Sequence, residues 1–260
     1  MSFGNTDFSI LWPALLAGML VLSTHVPMGQ RVLARGIVFI DLAIAQIAGL
    51  GVIVADALGW EPQGMRVQIA ACVAALLGAA LLTWTEKRWP AVQEALIGVL
   101  FVFAASVEML LLANNAHGGE HLKDLLVGQI LWVTPASLMP VAGLYAVVLA
   151  LWFGLRERLG RAGFYGLFAV AVTQSVQLVG IYLVFTSLIV PALASRAVVP
   201  RHRLAAGYAV GALGYGAGLG ASAFFDLPTG ALIVCALVGV LVVVVALAPD
   251  TRRPAKERTS

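Results

Sequence analysis

The segment that decides how this chain folds is IVFIDLAIAQIAG, residues 37–49, in which a single acid, Asp41, interrupts an otherwise apolar run. A carboxylate at membrane depth is costly unless it faces a partner, water or an ion. A chain this apolar that keeps such an acid is expected to use it, and the natural use is in a path for something charged. Two alternatives stay open: Asp41 pairs with the nearby Arg35, or it caps the start of its helix.

The composition around this segment is that of a membrane protein. The chain has 260 residues, of which 61% are apolar and 11% are charged, whereas soluble domains carry about 25% charged residues. The net charge is +3, and the basic residues behind it indicate how the chain is oriented in the membrane, not a nucleic-acid surface. Cys72 and Cys235 stand alone in apolar runs, which favours small core residues over a disulfide. Residues 1–9 contain no Lys or Arg and do not resemble a cleaved signal peptide.

Hydropathy predicts an all-α polytopic protein with eight spans of about 20 residues each. Two apolar pieces are too short to cross, 125–133 and 188–199, and are predicted to be partial helices buried in protein. Residues 1–248 are predicted to form one membrane domain, followed by a basic cytoplasmic tail, 249–260. The predicted spans are 10–30, 37–58, 67–85, 95–114, 136–155, 164–184, 204–224 and 229–248.

The basic residues predict the orientation of these spans. All of them except Arg66 and Lys123 fall in five clusters that share one side if the piece 188–199 returns the chain across the membrane. The positive-inside rule makes that side cytoplasmic and places the N-terminus and residues 115–124 outside. The clusters are Arg31 and Arg35; Lys87 and Arg88; Arg156, Arg158 and Arg161; Arg196, Arg201 and Arg203; and Arg252, Arg253, Lys256 and Arg258.

Three common motifs of nucleotide binding and catalysis do not occur in the sequence. There is no G-x-x-x-x-G-K-[ST] phosphate loop, no H-E-x-x-H and no serine elbow. The sequence therefore favours a transporter over an enzyme, and any ATP-derived energy has to come from a partner subunit.

Few other polar residues lie inside the spans. Glu108 is either a second ligand of the path or an acid at a helix end, and His25 is either a ligand or a hydrogen-bonded packing residue. Gln46 lies five positions after Asp41, about 140° further round the helix, whereas Ala45 shares the face of Asp41. The glycines of span 204–224 predict either close packing within one subunit or a subunit interface.

A compact cluster, His117, Glu120 and His121, lies in the segment predicted to be outside. Imidazole and carboxylate groups suit a divalent transition metal. The cluster is either a weak capturing site or an ordinary hydrated loop.

Seven short motifs follow one another along nearly the whole chain. They are ALLAG (14–18), VLARG (32–36) followed by Asp41, EALIGVLF (94–101), LLVGQIL (125–131), VGIYLV (179–184), IVPA (189–192) followed by Ser195 and Arg196, and DLPTGA (226–231). Taken in this order, they resemble the motifs of the permease subunits of bacterial zinc, manganese and iron ABC importers, the ABC-3 family.

The resemblance implies a permease of the type II importer kind in the bacterial inner membrane, paired with itself or with a paralogue. It implies two ATP-binding-cassette ATPase subunits on the cytoplasmic loops and an extracytoplasmic metal-binding protein outside, with no permanently bound cofactor. Zinc, manganese or iron would be the cargo, and Asp41 would match the pathway aspartate of the family. The residues expected to couple to the ATPase are Arg156, Arg158, Leu159, Gly160 and Arg161.

The sequence departs from the family pattern at two places. Ala45 stands where the family usually has histidine, four residues after the aspartate, and the cytoplasmic segment 156–163 is shorter than in the family. Two other functions therefore stay open: an ABC permease for a metal chelate, siderophore or cobalamin, and an ion-coupled secondary transporter that needs no ATPase.

Overall fold

The computed structural model describes residues 5–60, 64–112, 126, 130–155, 158 and 160–247, with side chains from residue 10 onward. Within these ranges the chain forms nine α-helices and three short 3₁₀ turns, and no strand. The all-α prediction is confirmed. The helices are α1 (Asn5–Arg35), α2 (Ile40–Ala57), α3 (Met65–Arg88), α4 (Gln93–Leu112), α5 (Pro135–Gly154), α6 (Arg161–Val179), α7 (Ile181–Ser195), α8 (Arg203–Phe225) and α9 (Thr229–Leu247).

Seven of these helices are long and apolar enough to cross a membrane. The other two are α7, which has 15 residues, and α8, which has 23 residues but whose mean hydropathy is lowered by glycine and tyrosine. The eight predicted spans correspond to α1–α6, α8 and α9, with ends that differ by several residues.

The predicted boundary between span 164–184 and the piece 188–199 is wrong. The helix breaks at Gly180, so that α6 ends at Val179 and α7 runs from Ile181 to Ser195. Gly180 has φ +80°, a conformation that glycine adopts without the steric cost of a side chain. Pro191 lies inside α7 and does not end it. Of the other predicted partial helix, only Leu126 and residues 130–133 are described, with a 3₁₀ turn at Ile130–Trp132.

The helices pack as two connected groups. Helix α2 lies against α3, α4 and α6, while α1 and α9 each lie against α7 and α8. Helix α5 begins with a capping box, in which Thr134 and Ser137 exchange side-chain and backbone hydrogen bonds of 3.2–3.3 Å. Such a cap satisfies backbone donors at the helix start.

Glycines of α8 let its neighbours approach closely. A Cβ added at Gly211 would lie 2.5 Å from Leu22 of α1, and one added at Gly218 would lie 2.4 Å from the Cα of Ile233 of α9. The sequence left two alternatives for these glycines, close packing within one subunit or a subunit interface. The buried glycines serve close packing within one subunit. Gly216 and Gly220 face open space.

Contacts between helix ends gather the basic clusters of the described residues at one end of the bundle. Arg161 of α6 pairs with Glu86 of α3 (Nε to Oε1, 3.4 Å), and the Arg35 guanidinium of α1 lies 4.2 Å from the ring centre of Phe164 of α6. Gln30 of α1 donates to Ser195, the last residue of α7, at 3.4 Å. We call this the basic end. The fifth cluster, in the tail, lies outside the described residues.

Candidate ion pathway

Asp41 lies in the first turn of α2, at the basic end, and is fully buried. Neither oxygen of its carboxylate has a hydrogen-bond partner within the described part of the chain. Burying an ionised carboxylate without a partner is strongly unfavourable. Asp41 is therefore a site where a proton or a cation would be stabilised.

Neither alternative for Asp41 is found. The residue at the start of α2 is Phe39, and no side chain caps it. Arg35 does not reach Asp41: its guanidinium stacks on Phe164 at 4.2 Å. The start of α2 is instead held by α4, because the backbone N–H of Phe39 donates to Oε1 of Glu94 at 3.2 Å.

Glu108 of α4 is also fully buried, and Gln46 of α2 is buried beside it. The Gln46 amide donates to Oε2 of Glu108, while Oε1 has no partner among the described residues. The structure thus brings together two of the predicted site residues across α2 and α4. Glu108 is not an exposed acid at a helix end.

Ala45 is buried one turn after Asp41 on the same face of α2. A methyl group occupies the position at which the family pattern has an imidazole. The helix face thus offers one carboxylate and no nitrogen ligand at these two positions.

His25 is buried in α1. Its Nδ1 lies 3.0 Å from the carbonyl oxygen of Val21 and 3.1 Å from the Thr24 hydroxyl, and because a carbonyl only accepts, the contact with Val21 is a hydrogen bond in the tautomer that carries the proton on Nδ1. Nε2 is then an acceptor, and it has no partner in the described ranges. A metal-binding histidine is commonly oriented in this way, and so is a packing histidine, so both alternatives stay open.

The predicted ligands that the structure describes do not form one cluster. Within the described ranges no three His, Cys, Asp or Glu side chains are close enough together to hold a metal ion. The cluster His117, Glu120 and His121 lies outside the described residues, as do Arg156 and Leu159. Of the other residues expected to couple to an ATPase, Arg158 is exposed, and Gly160 precedes the Arg161 that pairs with Glu86.

Sequence reasoning missed Glu86 and Glu94 as parts of the basic end. Both lie at helix ends, where an acid is usually solvated. Only the packing shows that Glu94 holds the start of the helix that carries Asp41. The one available signal was the position of Glu94 in the quoted motif EALIGVLF.

The fold defines a multi-pass helical membrane protein with buried polar groups on α2. The family model of the ABC 3 transport family matches residues 7–160 and 150–248. This chain belongs to the ABC 3 transport family.

A solved structure shows the same fold. PsaBC from Streptococcus pneumoniae in complex with Fab contains a chain similar to this one, with a TM-score of 0.77 and 21% sequence identity. The match covers 95% of each chain.

Proposed function

We propose that this chain is the membrane-spanning subunit of an ATP-driven importer for a divalent transition metal, zinc, manganese or iron. Family membership supports a transport role. The observation that carries the cation proposal is the buried Asp41 carboxylate, which has no partner in the described part of the chain. Carboxylate oxygens are ligands that such cations accept.

In this proposal Asp41 of α2 is the inner station of the path, and the Gln46–Glu108 pair, which joins α2 to α4, is a second station. The free Oε1 of Glu108 and the Nε2 of His25 are further groups that a passing cation can use. Alternating access would expose Asp41 first to the outside and then to the cytoplasm, since a fully buried carboxylate has to become accessible to exchange its cargo.

The energy would come from two ATP-binding-cassette ATPase subunits at the basic end, which the positive-inside rule places in the cytoplasm together with the C-terminus. Arg158, Gly160 and Arg161 would couple their motion to the bundle. The Arg161–Glu86 pair supports this role because it ties the α5–α6 connection to α3. An extracytoplasmic metal-binding protein would deliver the cargo to a pair of permease chains in the bacterial inner membrane.

Uptake of metal tests the proposal. The chain is co-purified with its ATPase and reconstituted in proteoliposomes, and ATP-dependent uptake of radioactive zinc and manganese is measured. Asp41→Asn is expected to abolish uptake while the ATPase still co-purifies. Asp56→Asn is the matched control, since Asp56 lies near the other end of α2 and is partly exposed. Normal uptake by Asp41→Asn would remove Asp41 from the path.

A metal chelate is the second candidate cargo, and Ala45 favours it because the position that is usually histidine offers no nitrogen ligand. Competition separates free metal from a metal chelate as the cargo. If an excess of siderophore or cobalamin blocks the ATP-dependent uptake of radioactive metal and an excess of free metal does not, the cargo is the chelate. Family membership favours both of these over the ion-coupled secondary transporter.

A further inference from the structure

A groove between α3 and α6 opens on the side of the bundle, away from Asp41 and its neighbours. Its volume is about 370 Å³, within the range of about 300–1,000 Å³ that is typical of small-molecule sites. Small side chains leave it open, because alanine and glycine line much of it. The lining residues are Leu76, Ala79, Ala80, Thr83, Trp84, Lys87, Ala162 and Gly166.

The length of the groove matches one leaflet of a bilayer. Leu76 and Lys87 are eleven residues apart on α3, about 16 Å along the helix axis. One leaflet contributes about 15 Å of hydrocarbon. A groove of this length accommodates an acyl chain along its apolar part while the headgroup stays at the membrane surface.

Trp84 and Trp89 mark where that surface lies. Their rings meet edge to face, with centroids 5.3 Å apart, and Trp84 is 55% exposed. Tryptophan is enriched at the headgroup level of membranes. The end of the groove that carries Lys87 is therefore at the interface, and the end at Leu76 points toward the bilayer centre.

The charge at this end is positive. Lys87 is exposed and has no ion-pair partner within the described ranges. Arg161 lies next to the lining residue Ala162, and its charge is offset by Glu86 at 3.4 Å. Among the described residues that line the groove, Lys87 is thus the cation without a partner, and the Thr83 hydroxyl one turn below it is buried and donates to the Ala79 carbonyl at 2.7 Å. This arrangement suits a phosphate with a net negative charge better than a zwitterionic headgroup.

We propose that the α3–α6 groove binds one anionic phospholipid from the leaflet at the basic end, with its phosphate at Lys87 and an acyl chain between Leu76 and Gly166. The site does not depend on the transported cargo. It places a lipid beside Arg161, in contact with the two helices that the Arg161–Glu86 pair joins.

Native mass spectrometry of the full-length chain tests the proposal. The protein is purified in detergent with equal amounts of phosphatidylglycerol and phosphatidylcholine that have identical acyl chains, and the retained lipids are counted. The wild-type chain is expected to retain one phosphatidylglycerol in preference to phosphatidylcholine. Lys87→Gln is expected to lower that retention about five-fold, as one interfacial charge does, and Lys87→Arg is expected to preserve it.

Two matched controls make the test specific. Arg66→Gln removes one positive charge near the other end of α3 and is expected to leave retention unchanged. Gly166→Leu fills the groove, where an added Cβ has no atom within 4 Å, and is expected to reduce retention of both lipids. Gly143→Leu fills equally open space on α5 and is expected to have no effect. Equal retention of the two lipids by the wild-type chain, or equal losses in Lys87→Gln and Arg66→Gln, would overturn the proposal.

Discussion

The first turns of α2 and the glycine seam are packed in opposite ways. We use glycine seam for the contacts of α8 with α1 and α9 at Gly211, Gly214 and Gly218. In the seam apolar atoms meet without spare room, whereas the buried carboxylates of Asp41 on α2 and Glu108 on α4 keep oxygens without donors in the described part of the chain. A well-packed seam stabilises the bundle, while unsatisfied buried carboxylates destabilise it.

This contrast separates residues that maintain the fold from residues that serve transport. Substitutions in the glycine seam should lower stability. Substitution of Asp41 should lower transport and leave stability equal or higher, as is common where function requires an unfavourable group. Four variants test the contrast, from the largest expected change in stability to the smallest.

Gly218→Ala is expected to cost up to about 3 kcal/mol, since overpacking a close contact has this magnitude. The added Cβ would lie 2.4 Å from the Cα of Ile233, and a backbone atom cannot move aside as a flexible side chain can. Thermal unfolding in detergent measures the change. Gly216→Ala, on the open face of α8, is the matched control and should be as stable as wild type. Equal stability of the two variants would show that the seam is not tightly packed.

Asp41→Asn is expected to raise the free energy of unfolding by about 2 kcal/mol. The substitution replaces a buried carboxylate, whose charge is costly to remove from water, by a neutral amide. The same sample that loses metal uptake should therefore unfold at a higher temperature. If the variant is less stable than wild type, Asp41 has a structural partner, and the contrast with the glycine seam fails.

Gln46→Leu is expected to lower stability by about 1.5 kcal/mol, because Oε2 of Glu108 loses its donor while staying buried. The double variant with Glu108→Leu should recover most of that loss, since both members of the pair are then apolar. Unfolding of the two single variants and the double variant gives the coupling energy. Additive losses would show that the two side chains do not interact.

Glu94→Ala is expected to have the smallest effect, about 0.5–1 kcal/mol, the usual value of an acceptor at a helix start. The backbone N–H of Phe39 would lose its partner, and Asp41, two residues further on, would be less well positioned. Uptake should show a higher KM for the metal. Glu94→Gln keeps an acceptor oxygen and should behave as wild type. A change in maximal rate without a change in KM would speak against a positioning role.

Much of the fold is predictable because hydropathy and charge are properties of local sequence. Long apolar runs predict where the helices lie. Basic residues such as Arg31, Lys87 and Arg196 predict which helix ends lie on the same side of the membrane. The break at Gly180 was misplaced because Ile181 and its neighbours continue the apolar run without interruption, and hydropathy does not register a positive φ. Pro191 lies inside the predicted piece 188–199, and α7 contains it without ending.

The site was predictable in part. A lone acid in an apolar run is visible in the sequence, and Asp41 was found in this way. The partner of Glu108 was not, because Gln46 and Glu108 are 62 residues apart and their contact depends on how α2 crosses α4. The hydrogen bond from the Phe39 backbone N–H to the Glu94 carboxylate depends on the same packing of α2 against α4.

The sequence by itself determined that this chain is a helical membrane protein with a carboxylate inside its second helix and, within the described ranges, its basic clusters at one end. These features follow from the free energy of placing each residue in lipid or water, which is summed locally along the chain. The tertiary structure alone decided three further features. Arg35 stacks on Phe164 and does not pair with Asp41. The side chain of Gln46 binds that of Glu108, and α3 and α6 leave a groove beside Lys87. Each of these outcomes depends on atoms from distant segments meeting within a few ångströms, and local patterns carry no such information.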